Sequence, residues 1–320
     1  PYTPLEVQAA EFSANELIAD FVGLLLSRAE AAAEESERQR LLGEALERVE
    51  DAYAGDLQDY FHDACIAAQR RERPEAIPGA LVIYPIVLRD RVVLVSGSEA
   101  GLDSVSVPVT AERLESTVRE LRTYLQQRTT RRYQRPAADL FDWLVRPLED
   151  RIAKTEPDAL VFVPRGILLG VPLAALFDRE REEYLIQQHP VAVIPGLSLT
   201  DPRHLEVAGT RVLAAGLTDS VQGYPALPHV GAEIDAVGAL FDGEQLLNQS
   251  FDAAALADRL GAEAFGIVHV ASHAEFGDRG DEAFVLTYDD RLPIDELGTL
   301  VRSTRLRDNP IELLALSACK

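Results

Sequence analysis

Methionine is absent from this 320-residue chain, tryptophan occurs once and cysteine only twice. The two cysteines, Cys65 and Cys319, are too few for a disulfide framework and stand far apart, which fits a reducing compartment and lends no support to a structural zinc site. No apolar run approaches the ~20 residues needed to span a bilayer. Pro1–Asn15 lacks the basic start and apolar stretch of a signal peptide, so the expected location is cytoplasmic, with no membrane partner. Neither Walker-A nor Rossmann glycine spacing occurs, leaving nucleotide binding by those routes without support. Basic residues are also in deficit: 31 against 53 acidic ones give a net charge of −22, which repels nucleic acid and anionic membranes. One basic patch exists, Arg113, Arg119, Arg122, Arg128, Arg131, Arg132 and Arg135, but Glu112, Glu115 and Glu120 lie among them. It reads as a solvated helix face, and no nucleic-acid partner is expected.

What is present is the composition of a folded globular protein, 47% hydrophobic and 26% charged. From Leu5 to about Arg73, apolar residues such as Leu17, Phe21, Leu24, Leu25 and then Leu41, Leu42, Leu46, Val49 recur at three- and four-residue steps, the signature of amphipathic helices. Two or three antiparallel helices of this kind resemble the end of a helical array, because a lone pair could not bury its apolar stripe. Pro74 and Pro78 then punctuate the chain, making Glu72–Gly79 the expected boundary between a helical segment, 1–75, and an α/β domain, 76–320. Ala80–Val87 and Arg91–Val95 read as a β-hairpin. Helices are expected from Thr110, an N-cap, through Gln127, and from Ala137 to Ile152.

From Asp158 onward short apolar runs alternate with helical stretches. The runs are Ala159–Val163, Val191–Ile194, Arg211–Ala215, Ile267–Ala271 and Ile311–Leu316, with helices at Gly231–Leu240 and Asp252–Leu260. Continuous apolar runs of about five residues are what strands buried on both faces of a mostly parallel sheet look like. In such sheets reactive groups collect at the carboxyl ends of strands.

Two residues stand at such ends. His273 follows the run in GIVHVASHAEF (Gly266–Phe276), and Cys319 follows the run in IELLALSACK (Ile311–Lys320). A thiol needs a base to become the reactive thiolate near neutral pH, and an imidazole facing it supplies one. Singly each is weak evidence, since a cysteine after an apolar strand is usually buried and inert. Ser272, Ala274, Ser317 and Ala318 are small neighbours that leave room for a substrate backbone. His269 and His273 are four apart, but Val270 stands where a zincin motif needs Glu, so no metal is expected and His269 reads as a core or supporting residue. Cys65 reads as a packed thiol. Glu275, Asp278, Asp281 and Glu282 read as a solvated acidic loop.

Five ordered segments give these residues a wider context: VPRGILLGVPLAALFD (Val163–Asp178), YLIQQHPVAVIPGLSL (Tyr184–Leu199), LPHVGAEIDAV (Leu227–Val237), HVASHAEF (His269–Phe276) and LALSAC (Leu314–Cys319). Together they resemble the CHAT domains, caspase-like peptidase domains often attached to tetratricopeptide repeats in bacteria. DLQDYFHDAC (Asp56–Cys65) is similar to the helix joining the repeats to that domain. The resemblance implies a caspase-like, mostly parallel sheet flanked by helices and preceded by a repeat-like helical segment. It implies a Cys319–His273 dyad, an oxyanion hole from the backbone N–H groups of Ala274 and Cys319, a protein substrate, a regulatory protein partner and no cofactor. Three departures accompany it. Ala274 stands where the family usually has Gly. Arg165 stands in the Val-Pro-x-Gly motif where Asp is common, so a pocket formed there would favour a carboxylate before the cut. The family's pattern continues beyond Cys319, so the expected domain lacks its C-terminal part. The competing reading is a non-catalytic signalling scaffold.

Overall fold

The computed structural model describes residues 4–61, 77–127, 129–200, 209–275, 283–304 and 310–318, with nothing said of the side chains of 4–16 and 54–61. Contacts divide the chain into two compact units, Pro1–Leu57 with Ala64–Pro202, and Gln58–Asp63 with Arg203–Lys320. The expected boundary at 72–79 falls largely outside the described residues, and this division runs elsewhere, keeping the N-terminal helices with the first sheet.

The first unit opens with α1 (Pro4–Ala31) and, as far as Leu57, α2 (Glu35–Phe61), joined by a short turn. The antiparallel strands β1 (Ala80–Val87), β2 (Val92–Ser98) and β3 (Gly101–Val107) follow, then the helices α3 (Ala111–Leu125), α4 (Gln134–Leu144) and α5 (Glu149–Thr155). β4 (Ala159–Phe162) and β5 (Val191–Val193) complete a five-stranded sheet of order β3-β2-β1-β4-β5, in which β1-β4-β5 are parallel. The expected hairpin is present, and Thr110 caps α3 by accepting from the Arg113 N–H at 3.3 Å.

Strand alternation splits the apolar residues between two faces. Leu81, Ile83, Leu94, Leu160 and Phe162 bury against Leu114, Val118, Leu121, Leu140 and Phe141 of α3 and α4. Ala80, Val82, Tyr84, Val93, Val95 and Val161 bury against Val22, Leu25, Leu26 and Ala29 of α1 and Leu41, Leu42, Leu46 and Val49 of α2. The helical pair is therefore one layer of this unit. The periodicity found α1 but not its inner face, because Leu17 (70% exposed), Phe21 (42%) and Leu24 (57%) point outward. The single helix expected over 137–152 is two, broken by the 3₁₀ turn Arg146–Leu148. Pro147 lacks the N–H an α-helix would use there, and its ring would clash with the preceding turn.

Two buried carboxylates tie this unit together. Glu50 of α2, 1% exposed, accepts from Tyr84 Oη at 2.5 Å and from the backbone N–H groups of Leu197 at 2.8 Å and Ser198 at 3.0 Å. Asp178, fully buried, accepts from Arg146 Nη2 at 2.8 Å, the Glu180 N–H at 2.9 Å and Arg181 Nη1 at 3.2 Å. Burial acts to raise the Asp178 pKa, but Arg146 and the backbone N–H groups of Glu180 and Arg181 outweigh it and hold the carboxyl below its ordinary range. A folded-state pKa below the unfolded one contributes stability that is present above the unfolded value, about 4, and is lost as pH falls through the folded value. Urea midpoints of the wild type and Asp178→Asn are expected to differ at pH 6 and to converge as pH drops below about 4. A gap independent of pH would contradict this linkage.

The second unit is built on β6 (Val212–Gly216), α6 (Val230–Leu240), β7 (Gly243–Leu247), α7 (Ala253–Ala262), β8 (Ile267–Ser272) and the short β9 (Ala274–Glu275). β10 (Phe284–Leu286), β11 (Arg291–Pro293), α8 (Ile294–Ser303) and β12 (Leu313–Ala318) follow. Its main sheet has the order β12-β8-β6-β7 and is parallel throughout. Leu213, Ala215, Val268, Val270, Leu314 and Leu316 face a core shared with Leu256, Leu260 and Leu297 of α7 and α8. Ala214 and Ala271 face Val230 and Ile234 of α6 on the other side. Gly216 ends β6 where an added Cβ would lie 2.6 Å from Val230 and 2.9 Å from the Ala271 carbonyl, so only glycine lets α6 seat this closely. The antiparallel ribbon β9-β10-β11 branches from the carboxyl end of β8.

Candidate functional site

The central strand of the parallel sheet carries the site. β8 pairs with β12 in parallel from Ile267↔Leu313 to Ser272↔Ala318, so the two apolar runs end side by side. His273 is the next residue after the first run. Cys319, next in sequence after Ala318, lies outside the described residues, as do Cys65, Asp278, Asp281 and Glu282.

His273 is 8% exposed. Its Nε2 lies 2.8 Å from the carbonyl oxygen of Pro225, and its ring centroid is 5.1 Å from that of Tyr224, with the planes tilted by 37°. A carbonyl oxygen can only accept, so Nε2 carries a proton, and Nδ1 is the nitrogen that holds the lone pair whenever the ring is uncharged. The partner loop is built by backbone and amide chemistry. Asn248, after β7, accepts from the N–H groups of Thr218 at 2.8 Å and Asp219 at 3.2 Å and donates to Thr218 Oγ1 at 2.7 Å. The Leu227 N–H closes the loop onto the Thr218 carbonyl at 3.0 Å.

Ala274 begins β9 in extended backbone, which any residue adopts, so a side chain is accommodated where the family usually has Gly. The Leu286 N–H donates to the His273 carbonyl at 2.8 Å, which with the Ala274↔Val285 register makes 274/285 a non-hydrogen-bonded pair. The Ala274 N–H therefore points away from β10. Ser272 Oγ donates to the Leu286 carbonyl at 2.6 Å and fixes the ribbon to the strand end.

His269 pairs with Glu233 of α6 at 2.9 Å, an inward-facing role in keeping with a supporting residue. Among the described residues no group of three or more His, Cys, Asp or Glu side chains could hold a metal ion, and no helix is long and apolar enough to cross a membrane. Arg165 follows β4 in the first unit. Its Nη1 donates to the Val49 carbonyl at 3.2 Å and its guanidinium lies 5.4 Å from the Tyr53 ring, both on α2. Residues the sequence did not single out, Tyr224 and Pro225, complete the surroundings of His273; a backbone carbonyl has no sequence signature.

The CHAT domain family model matches residues 134–320, more than half of the chain. The chain belongs to the CHAT domain family. This is a caspase-like, peptidase-related family. The match begins at α4 and ends beyond β12, leaving α1, α2, α3 and the first three strands outside it. No curated protein matches the chain. Among solved structures, an exopolyphosphatase from Cytophaga hutchinsonii is 12% identical, with 49% of this chain and 51% of that one covered and a TM-score of 0.19. The chain thus spans about half the length of that protein, and at that score the likeness carries no argument.

Proposed function

We propose that this CHAT chain is a cysteine endopeptidase acting on a protein substrate through Cys319 and His273. The observation that carries this reading is the pairing of β8 with β12, with His273 leaving the first strand and tied at Nε2 to a carbonyl. In the reading, the Cys319 thiol passes its proton to Nδ1 of His273 and the thiolate attacks the scissile carbonyl. The oxyanion accepts from the N–H groups of Ala274 and Cys319, donors that commonly contribute ~2.7–4 kcal/mol to the transition state. His273 then protonates the leaving amine, and water, deprotonated by the same ring, hydrolyses the acyl-enzyme. The chemistry invokes no metal or organic cofactor.

The helical pair is the recruiting element in this reading, forming the end of a repeat-like array that binds a regulatory protein. The exposed Leu17, Phe21 and Leu24, four and seven residues along one helix, support that role. Arg165 has contacts that support anchoring of α2 more than capture of a substrate carboxylate.

The test is labelling of the full-length protein with a thiol-reactive peptide probe. Adduct on Cys319 that disappears in Cys319→Ala is expected. Equal labelling of the two proteins, or none with any regulatory partner added, would replace the peptidase by a non-catalytic signalling scaffold.

A further inference from the structure

The loop between β6 and α6 brings the Pro225 carbonyl to His273 and is anchored both at its root and near its tip. Asn248 grips residues 218 and 219, and Gln222 Nε2 reaches the Thr287 carbonyl at 3.0 Å. At the tip, Gln222 and Gly223 both take positive φ, 51° and 87°, which turns the chain so that Tyr224 faces His273. A non-glycine residue in that region is strained and is held there by its surroundings. Beside the Gln222–Thr287 bond, Tyr224 supplies further holding contacts. Its hydroxyl donates to Glu275 Oε1 at 3.1 Å, its ring lies against the His273 ring at 5.1 Å, and its own carbonyl accepts from Ser220 Oγ at 2.7 Å. Glu275 lies two residues beyond His273 on β9. Arg291 closes the outer side, 6.0 Å from the Tyr224 ring and 4.6 Å from the Phe284 ring.

We propose that Tyr224 and Glu275 are positioning residues: their hydrogen bond latches the loop to β9 and so keeps the Pro225 carbonyl on Nε2 of His273. One end of the latch is the residue next to Pro225, and the other is on the strand that His273 enters, so the bond spans the contact it protects. Burial and the Glu275 carboxylate raise the Tyr224 pKa, against an opposing effect of Arg291, and the phenol remains the donor. The Ser272–Leu286 bond holds β10 and the Asn248 and Gln222 bonds hold the rest of the loop, so releasing the latch loosens the Tyr224–Pro225 segment and not the ribbon. Without it, Nε2 is no longer committed to a carbonyl and the ring exchanges between its two tautomers. The proposal rests on the peptidase reading only for its effect on rate.

The experiment is long-range ¹H–¹⁵N correlation of the imidazoles in the uniformly labelled full chain, with His273→Asn to assign the signals. The wild type is expected to show His273 as the single Nε2–H tautomer. Tyr224→Phe, which keeps the ring and removes the hydroxyl, and Glu275→Ala are both expected to move the His273 signals toward tautomer averaging. Glu275→Gln keeps an acceptor oxygen and is expected to restore most of the wild-type pattern. Persistence of one unshifted Nε2–H tautomer in both Tyr224→Phe and Glu275→Ala overturns the proposal. Displacement of a base from its working geometry costs of order tenfold or more, so Tyr224→Phe is also expected to slow probe acylation at Cys319 about tenfold. Tautomer averaging without any Cys319 labelling would keep the latch and remove the peptidase; labelling with an unmoved tautomer would do the reverse.

Discussion

Replacing His273 with alanine is expected to slow acylation of Cys319 by about 10³-fold, within the 10²–10⁴ range that a positioned general base supplies. That factor is about 4 kcal/mol of activation free energy. A free thiol, with a pKa of about 8.5, is only a few per cent thiolate near neutral pH, and removing the imidazole leaves it at that level. The substitution also strips the Pro225 carbonyl of its donor, a loss of about 1–3 kcal/mol in stability if the acceptor stays dry. Circular dichroism at the assay temperature separates the two effects. The measurement is the rate of probe adduct formation by intact-protein mass spectrometry. A folded variant that labels within threefold of the wild type would show that His273 is not the base.

Glu50→Ala carries the largest expected loss of stability, about 3–5 kcal/mol in the first unit. The carboxylate is the acceptor for Tyr84 Oη and for the N–H groups of Leu197 and Ser198, and all are buried with it. Removing it takes the acceptor from the buried Leu197 and Ser198 N–H groups, at about 1–3 kcal/mol each before relaxation, and opens a cavity between α2 and the sheet. Tyr84→Phe, which removes one donor and keeps the ring, is expected to cost only about 1–2 kcal/mol. Denaturant unfolding followed by far-UV circular dichroism measures both. A Glu50→Ala loss below about 1 kcal/mol would mean that the pocket admits water and that the carboxylate does not key the helix to the sheet.

The contrast between what was legible and what was not follows from the chemistry of each segment. β6 and β8 carry mainly apolar runs because helices cover both sides of a parallel sheet, and such runs, like that of β12, are visible without coordinates. β3, written GLDSVSV, and β7, written GEQLL, sit at sheet edges where polar residues are tolerated, and neither carries an apolar run that marks a strand. Pro147 interrupts a helical apolar spacing that continues on both sides of it, so periodicity alone runs through the break. Periodicity located α1 while misassigning Leu17 and Phe21, since a helix with apolar residues on two faces does not say which face its own sheet will take. His273 was readable because imidazole at a strand end has a chemical meaning. Its partners were not, because the Pro225 carbonyl and the Tyr224 ring reach it through a loop whose shape depends on Asn248 and Gln222, 30 and 65 residues from the groups they bind.

The bond from Nε2 to a carbonyl also decides how this imidazole meets an electrophile. Acylating and alkylating reagents attack a nitrogen lone pair, and the neutral Nε2–H ring has its lone pair on Nδ1 alone. An exposed histidine, free to exchange its proton, offers either nitrogen and yields two regioisomers. At 8% exposure His273 is expected to react slowly, and peptide mapping of the adduct is expected to place the new bond at Nδ1.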